Sequence, residues 1–196
     1  MSIFFFIKAI QPYEYPQLLD YMKAIQHSFW LPEHFTYDRD VHDFKVVLSD
    51  TEKDIVKKAM ISIGVVENKV KTFWARIDMR MPKSEIACVG HTFASNEVIH
   101  QVTYQKLLEL LGLENEFDKI DEVECMKNRT TYLTKYLSGV HSKSNKEFTK
   151  SLILFTLLVE NASLFSQFLI VSSFRKYKNV LTNFNSIIGA TAREEQ

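Results

Sequence analysis

The sequence predicts an all-α protein, and two observations carry that prediction. Apolar residues recur at offsets of three and four over long stretches, which is the period of an amphipathic helix, whereas the alternation typical of strands is scarce. All four prolines lie within the first 82 residues, so no proline interrupts the helical pattern beyond them. The predicted helices cover residues 15–27, 52–76, 83–111, 119–138, 145–177 and 180–196.

Local signals mark several ends of these helices. Glu85 lies in the first turn of the helix that begins at 83, where the helix dipole favours an acid. Gly112 and Gly139 follow the third and fourth helices, where glycine commonly ends a helix. Before the fifth helix, Ser144 or Asn145 is the candidate N-cap.

Composition bounds the domain count and the partners. A chain of 196 residues is long enough for one sizeable core, so we predict a single domain over residues 1–196. The 24 basic and 24 acidic residues give no net charge, and we therefore expect neither nucleic acid nor an anionic membrane as a partner. Two cysteines make no disulfide framework, which favours a reducing cytoplasm.

The stretch from 151 to 174 is long and apolar enough to span a bilayer. It carries Glu160, Asn161 and Gln167, however, and such side chains are costly in lipid. We therefore predict a helix buried inside a protein core, with Ile153 and Leu157 on its apolar stripe before Glu160.

Polar residues interrupt the apolar stripe of the helix over 83–111. Glu97, His100 and Tyr104 occupy positions where the pattern calls for apolar residues. Their offsets of three and four place them above one another on one face, which points into the core. A lone buried glutamate or histidine is more often an ordinary core residue than a ligand.

Three other helices repeat the interruption with Glu67, Glu160 and Glu195. Four carboxylates converging in one bundle would repel one another strongly, and a multivalent cation would neutralise them. Ferritin-like dimetal proteins use one Glu from each of two helices and a Glu-x-x-His from each of the other two. The stretch from Glu97 to His100 is one such motif, so the pattern predicts a ferritin-like bundle around a dinuclear metal site.

The second Glu-x-x-His would begin at Glu195 and place its histidine at position 198. We therefore expect these 196 residues to be an N-terminal portion of a longer protein. Glu195 is preferred to Glu194 as the ligand because it continues the apolar stripe of the last helix.

These residues resemble the small, radical-generating subunit of class I ribonucleotide reductase. The elements "FWLPE" at 29–33, Glu67, "NEVIHQVTY" at 96–104, Glu160 and "AREEQ" at 192–196 occur in the family's order and at nearly its spacings. The resemblance implies metal ligands at Glu67, Glu97, His100, Glu160 and Glu195.

The resemblance also implies roles for other residues. Tyr104 matches the tyrosine that stores the radical in most members, and Trp30 matches the tryptophan that passes electrons and protons towards the large subunit. Glu194 matches a family aspartate that bonds this tryptophan and a ligand histidine. The family's reaction is the reduction of ribonucleotides to deoxyribonucleotides, with the nucleotide bound in the large subunit. The small subunits are usually homodimers that dock the large subunit through a C-terminal tail.

The chain departs from the family's usual pattern at Glu67, Leu164 and Glu194. Some members with glutamate at the first ligand position keep the oxidising equivalent on the metals instead of the tyrosine, using manganese with iron or two manganese ions. The resemblance therefore favours two manganese ions, with Mn/Fe or two iron ions as alternatives, and leaves open whether Tyr104 holds a radical.

Lys71 lies one turn after Glu67 on the same face. Its ammonium group would lie near the metals and could guide an anionic oxidant such as superoxide; alternatively, the side chain extends to solvent or pairs with a carboxylate. Two other functions stay open: a related dimetal oxidase that acts on a small ligand, and a non-catalytic bundle with a vestigial site.

Overall fold

The computed structural model describes residues 2–8 and 10–195 of the chain, and helices account for the regular structure in them. The all-α class is confirmed, because no strand occurs within these ranges. The α-helices are α1 (Leu18–Ser28), α2 (Asp38–His42), α3 (Asp50–Trp74), α4 (Ser84–Leu111), α5 (Glu124–Leu137), α6 (Asn145–Ile153), α7 (Phe165–Lys178) and α8 (Thr182–Glu194).

The bundle is built around the long antiparallel pair α3 and α4, whose apolar stripes face each other. Helix α7 packs on α3 and on α8, α5 packs on α3, and α1 covers α4. The core between them is continuous, and its largest fully buried apolar side chains are Met60, Ile63, Phe73, Leu107, Leu108, Phe148, Phe155, Leu164, Leu181, Phe184 and Ile187.

The helices predicted over 52–76 and 83–111 agree with α3 and α4 to within two residues. Other ends differ more: a 3₁₀ segment, Glu114–Glu122, occupies the region where the fourth helix was expected to begin, so α5 starts only at Glu124. The last helix begins at Thr182 and ends at Glu194, and Gln196 lies outside the described residues. Helix α2 and the π-helical turn Asp43–Val47 that follows it were not predicted.

Two predicted helix ends are confirmed in detail. Gly112 adopts the left-handed conformation with φ of 73°, directly after the last residue of α4. Ser144 caps α6, since its hydroxyl accepts a hydrogen bond from the N–H of Glu147 at 3.5 Å.

The helix predicted over 145–177 is continuous but not regular. Between α6 and α7 lies a π-helical segment, Leu154–Leu164, in which the backbone bonds from i to i+5. Leu154, Val159 and Leu164, five residues apart, are all buried there.

This change of period corrects the predicted apolar stripe. Ile153 and Leu157, which regular helical spacing places on the buried face with Glu160, are 49% and 58% exposed. Phe155, five residues before Glu160, is fully buried instead. The wider π period therefore decides which residues share the face of Glu160.

Within the described residues, Asn145–Lys178 is the one helix that is long and apolar enough to cross a membrane. About a third of its most apolar window, 33%, is buried inside the protein. Core helices can have the same length and composition, so this property alone is weak evidence for a membrane span.

Helix α8 is anchored at its N-terminus by the region around α2. The Asp40 carboxylate accepts hydrogen bonds from the N–H groups of Asn183, at 3.2 Å, and of Phe184. Asp43 accepts one from the N–H of Leu181 at 3.0 Å. These carboxylates satisfy donors that a helix start leaves free, and they fix α8 against α2.

Candidate metal centre

Five acidic and imidazole side chains from four helical segments meet in the core. Glu97 and His100 come from α4, Glu67 from α3, Glu160 from the π segment, and Glu195 directly follows α8. The side chains of Glu67, Glu97 and His100 are between 1% and 5% exposed. The structure thus brings together the five residues that the sequence pattern assigned to one site.

His100 lies at the centre of this cluster. Its Nδ1 atom lies 3.3 Å from Glu97 Oε2, 3.5 Å from Glu195 Oε1 and 3.6 Å from Glu67 Oε2. Ligand atoms of these four residues all lie within 4.8 Å of one another, which is close enough to share a metal ion. Glu160 lines the same cavity of about 430 Å³ together with Glu97, His100 and Glu195.

Several carboxylate oxygens in the cluster lack hydrogen-bond donors. Glu67 Oε1, Glu160 Oε2 and Glu195 Oε1 are buried and have no hydrogen-bond partner. A buried acceptor without a partner is costly, and a multivalent cation supplies the missing interaction. Carboxylate and imidazole donors suit manganese and iron, so the residues present fit a dinuclear site of the kind found in ferritin-like proteins.

The pKa values of the cluster show the cost of crowding these acids. Burial, together with the charge of Glu97, raises the pKa of Glu160 to about 8. Burial and neighbouring carboxylates raise the pKa values of Glu97 and Glu195 well above the usual range. Without metal, burial therefore favours the protonated forms of these groups, and metal binding must release their protons.

The imidazole of His100 is oriented by Glu194. Its Nε2 lies 2.8 Å from Glu194 Oε2, and the tautomer with its proton on Nε2 donates to that oxygen. Nδ1 is then the atom available to a metal, an arrangement common among metal-binding histidines. Burial alone would lower the pKa of His100, but the Glu97 charge and the contact with Glu194 outweigh it and raise that pKa well above its usual value.

The same oxygen of Glu194 also binds Trp30. The indole Nε1 donates to Glu194 Oε2 at 2.9 Å, and the indole stacks on the His100 ring with centroids 5.6 Å apart and planes 16° apart. Trp30, Glu194 and His100 therefore form one continuous hydrogen-bonded chain that reaches the carboxylate cluster. The family resemblance implied one functional path for these residues, and the structure places them in contact.

Tyr104 lies one turn beyond His100 and is fully buried. Its hydroxyl lies 3.2 Å from Thr191 Oγ1, and either oxygen can be the donor. Burial, reinforced by the charge of Glu67, raises the pKa of the phenol well above its usual value, so the side chain is a neutral phenol.

Lys71 is half-buried, and its ammonium group donates to the side-chain oxygen of Gln101, the residue that follows His100. Within the described residues, no carboxylate lies within ion-pair distance of it. Of the alternatives for Lys71, pairing with a carboxylate is therefore not found among these residues, and its partner is an amide oxygen.

Sequence reasoning missed one polar contact of the cluster, the bond from Trp74 to Glu160. The Trp74 indole Nε1 donates to Glu160 Oε1 at 3.3 Å. The available signal was its position on the same stripe of α3 as Glu67, seven residues further on.

A family model for the ribonucleotide reductase small chain matches residues 8–196. The chain belongs to this family. It is 25% identical over 172 residues to the probable ribonucleoside-diphosphate reductase small subunit 376L of Invertebrate iridescent virus 6, covering 81% of this chain and 47% of that protein. It is 21% identical over 179 residues to the ribonucleoside-diphosphate reductase subunit beta of Halalkalibacterium halodurans, covering 89% of this chain and 51% of that protein. The family member described here thus spans about half the length of these relatives.

Solved structures share the fold. A putative class I ribonucleotide reductase from Bacillus halodurans superposes with a TM-score of 0.85 at 19% identity, over 92% of this chain and 65% of that one. An R2-like ligand-binding oxidase from Sulfolobus acidocaldarius superposes with a TM-score of 0.80 at 14% identity, over 91% and 67%. The ferritin-like bundle is thereby confirmed.

Proposed function

We propose that this chain carries the metal centre of the radical-initiating small subunit of ribonucleotide reductase. With a large subunit as partner, the protein would act as an oxidoreductase that converts ribonucleotides to deoxyribonucleotides for DNA synthesis. The observation that carries the proposal is the oxygen of Glu194 shared by Trp30 and His100. The Trp30 indole donates to Glu194, and Glu194 contacts the ligand His100. Such a chain suits the coupled transfer of an electron and a proton between the metal centre and a distant site.

The ligands in this proposal are Glu67, Glu97, His100, Glu160 and Glu195. When bound, a pair of redox-active ions would supply the oxidising equivalent. Glutamate at the first ligand position favours two manganese ions, while manganese with iron, or two iron ions, are the alternatives that the same donor types accept.

Metal content is the first test. After loading with manganese or iron, elemental analysis of the intact protein is expected to give about two ions per chain. The Glu97→Ala variant should lose them, whereas Glu109→Ala, an exposed acid on the same helix, should retain them. A protein that folds but binds no metal would favour the non-catalytic bundle with a vestigial site.

Trp30 is the second test, because its role is distinct from metal binding. Trp30→Phe removes the N–H bonded to Glu194 and should retain the metals while losing nucleotide reduction with the large subunit. Phe29→Leu, at the half-exposed neighbouring position, should keep both. Full activity of Trp30→Phe would contradict the proposed transfer path.

Tyr104 and Lys71 are assigned by two further measurements. If the oxidising equivalent is stored on the metal ions, Tyr104→Phe remains active with the large subunit. If Tyr104 stores it as a radical, the variant loses both the activity and the tyrosyl radical signal in electron paramagnetic resonance. If Lys71 guides superoxide, Lys71→Met is activated by it more slowly than the wild type, and an unchanged rate would contradict that role.

A homodimer is a further part of the proposal. Val98 and Val102 are 46% and 48% exposed on the outer face of α4, and their burial would favour a homodimer. Comparing the sedimentation of Val98→Glu with that of the wild type tests the dimer.

We also expect a cytoplasmic protein without nucleic-acid or membrane partners.

A second candidate is a dimetal oxidase that binds a small apolar ligand. A cavity of about 580 Å³ lies beside the cluster and is lined largely by apolar side chains, with Glu194 and Glu195 at its edge. Such a cavity suits an apolar ligand. An oxidase would act without a large subunit, so strict dependence of nucleotide reduction on that subunit separates the two functions.

A further inference from the structure

Arg129 of α5 joins three helical segments through one guanidinium group. Its Nη1 donates to Ser62 Oγ on α3 at 2.9 Å. Its Nη2 donates to Ser163 Oγ at 2.7 Å and to Gln167 Oε1 at 3.0 Å. The planar fork of arginine holds such acceptors in fixed directions, which a flexible lysine ammonium does not.

These contacts lie at the end of the π segment. Ser163 belongs to the last turn of Leu154–Leu164, and Gln167 belongs to the first turn of α7. The guanidinium thus forms hydrogen bonds on both sides of the junction where the backbone hydrogen bonds change from the i+5 pattern of the π-helix to the i+4 pattern of the α-helix. Its third contact ties this junction to α3.

Two glutamates of the metal site lie on the segments that Arg129 joins, so the positions of these segments set where the glutamate side chains lie. Glu160 lies three residues before Ser163, and Glu67 lies five residues after Ser62. A slip of one residue in a helix turns every following side chain by about 100°, so the period of the π segment decides where Glu160 points.

The contacts are a poor means of stabilising the fold. All three acceptors are neutral, and within the described residues no carboxylate lies within ion-pair distance of Arg129. Its Nε is buried without a partner, and burial lowers the pKa of the group. An apolar side chain of similar size would avoid this desolvation. The gain from arginine is therefore geometric.

We propose that Arg129 is a positioning residue that holds the π segment in register and thereby aims Glu160 at the metal centre. The link to metal binding rests on the proposed function, whereas the link to the backbone register does not.

Arg129→Met tests the register directly, and Lys127→Met, an exposed position on the same helix, is the matched control. In the metal-free intact protein, amide hydrogen exchange of peptides covering 154–167 is expected to be about tenfold faster in Arg129→Met and unchanged in the control. Exchange in α4 should not change in either variant.

Metal affinity is the second readout. Arg129→Met should bind manganese about tenfold more weakly, the lower end of the effects of outer partners on metal sites. Arg129→Lys should recover little of the loss because it lacks the fork. Ser163→Ala removes one of the three contacts, so hydrogen exchange over 154–167 should be faster than in the wild type but slower than in Arg129→Met. This variant keeps the test usable if Arg129→Met folds poorly.

Unchanged exchange over 154–167 in Arg129→Met and Ser163→Ala would overturn the proposal. Faster exchange spread evenly over all helices would also overturn it, because that result indicates a general loss of stability. If the wild type binds no metal, the proposed function fails, yet the exchange measurement still decides whether Arg129 holds the register.

Discussion

Helix α4 and the long helix over Asn145–Lys178 both direct a carboxylate into the same cluster, but they do so with different backbone periods. In α4, Glu97, His100 and Tyr104 follow one another at offsets of three and four, as in any regular α-helix. In the long helix, the buried residue that precedes Glu160 on its face is Phe155, five positions earlier. A regular helix can be predicted from its apolar stripe, whereas a π segment moves the stripe.

The largest expected effect tests the period of the long helix. Phe155 is fully buried and stacks on Phe73 with ring centroids 4.8 Å apart, so Phe155→Ala should cost about 3–5 kcal/mol of unfolding free energy. Leu157→Ala, at a position 58% exposed, should cost less than about 0.5 kcal/mol. Urea unfolding of the metal-free protein measures both free-energy changes. A larger cost for Leu157→Ala than for Phe155→Ala would contradict the π segment and favour a regular α-helix.

The corresponding test of α4 removes its imidazole. His100→Ala should weaken manganese binding by more than about 100-fold, because removing a ligand exceeds the effect of removing an outer partner. His91→Ala, an exposed histidine nine residues earlier on the same helix, is the control and should bind normally. Competition with a chelating dye measures both affinities, and normal binding by His100→Ala would exclude Nδ1 as a ligand atom.

The pH dependence tests the acids that the two helices bring together. The pKa of Glu160 is raised from 4.5 to about 8, so the folded metal-free protein binds more protons than the unfolded chain between these values. Its stability should therefore fall as pH rises from 5 towards 8, and the raised pKa of His100 acts in the same direction.

Thermal unfolding of the metal-free and metal-loaded proteins at several pH values measures this effect. The midpoint should drop by several degrees across the window without metal. With metal bound, affinity should rise with pH, because the ions displace protons. A metal-free midpoint that rises with pH would show that the carboxylates are already ionised.

The smallest expected effect concerns α8, the helix that positions Glu194 and Glu195. The Asp40 carboxylate, distant in sequence, caps the N-terminus of this helix. Asp40→Ala leaves the N–H groups of Asn183 and Phe184 without this acceptor, and it should cost about 1 kcal/mol. Asp38→Ala, at an exposed position two residues earlier, should cost almost nothing. Equal midpoints in urea for the two variants would show that the cap adds no stability.

Much of the site could be predicted because its signal is local. A carboxylate on an apolar stripe is visible in the sequence, and the offsets within α4 fix which side chains share a face. The links from Arg129 and Asp40 could not be predicted, because their acceptors and donors lie far along the chain. The π segment was missed because its five-residue spacing resembles an irregular α-helical stripe until the packing is known.

The sequence by itself determined the all-α class, the regular periods of α3 and α4 and the set of polar residues on the core faces, since side-chain periodicity is a property of the local chain. The family resemblance implied the link from Trp30 through Glu194 to a ligand histidine, and the structure shows both contacts. Only the tertiary structure decided that Lys71 contacts Gln101 and that the long helix widens around Glu160. Those features depend on which helices meet and at what register, and packing between distant segments sets both.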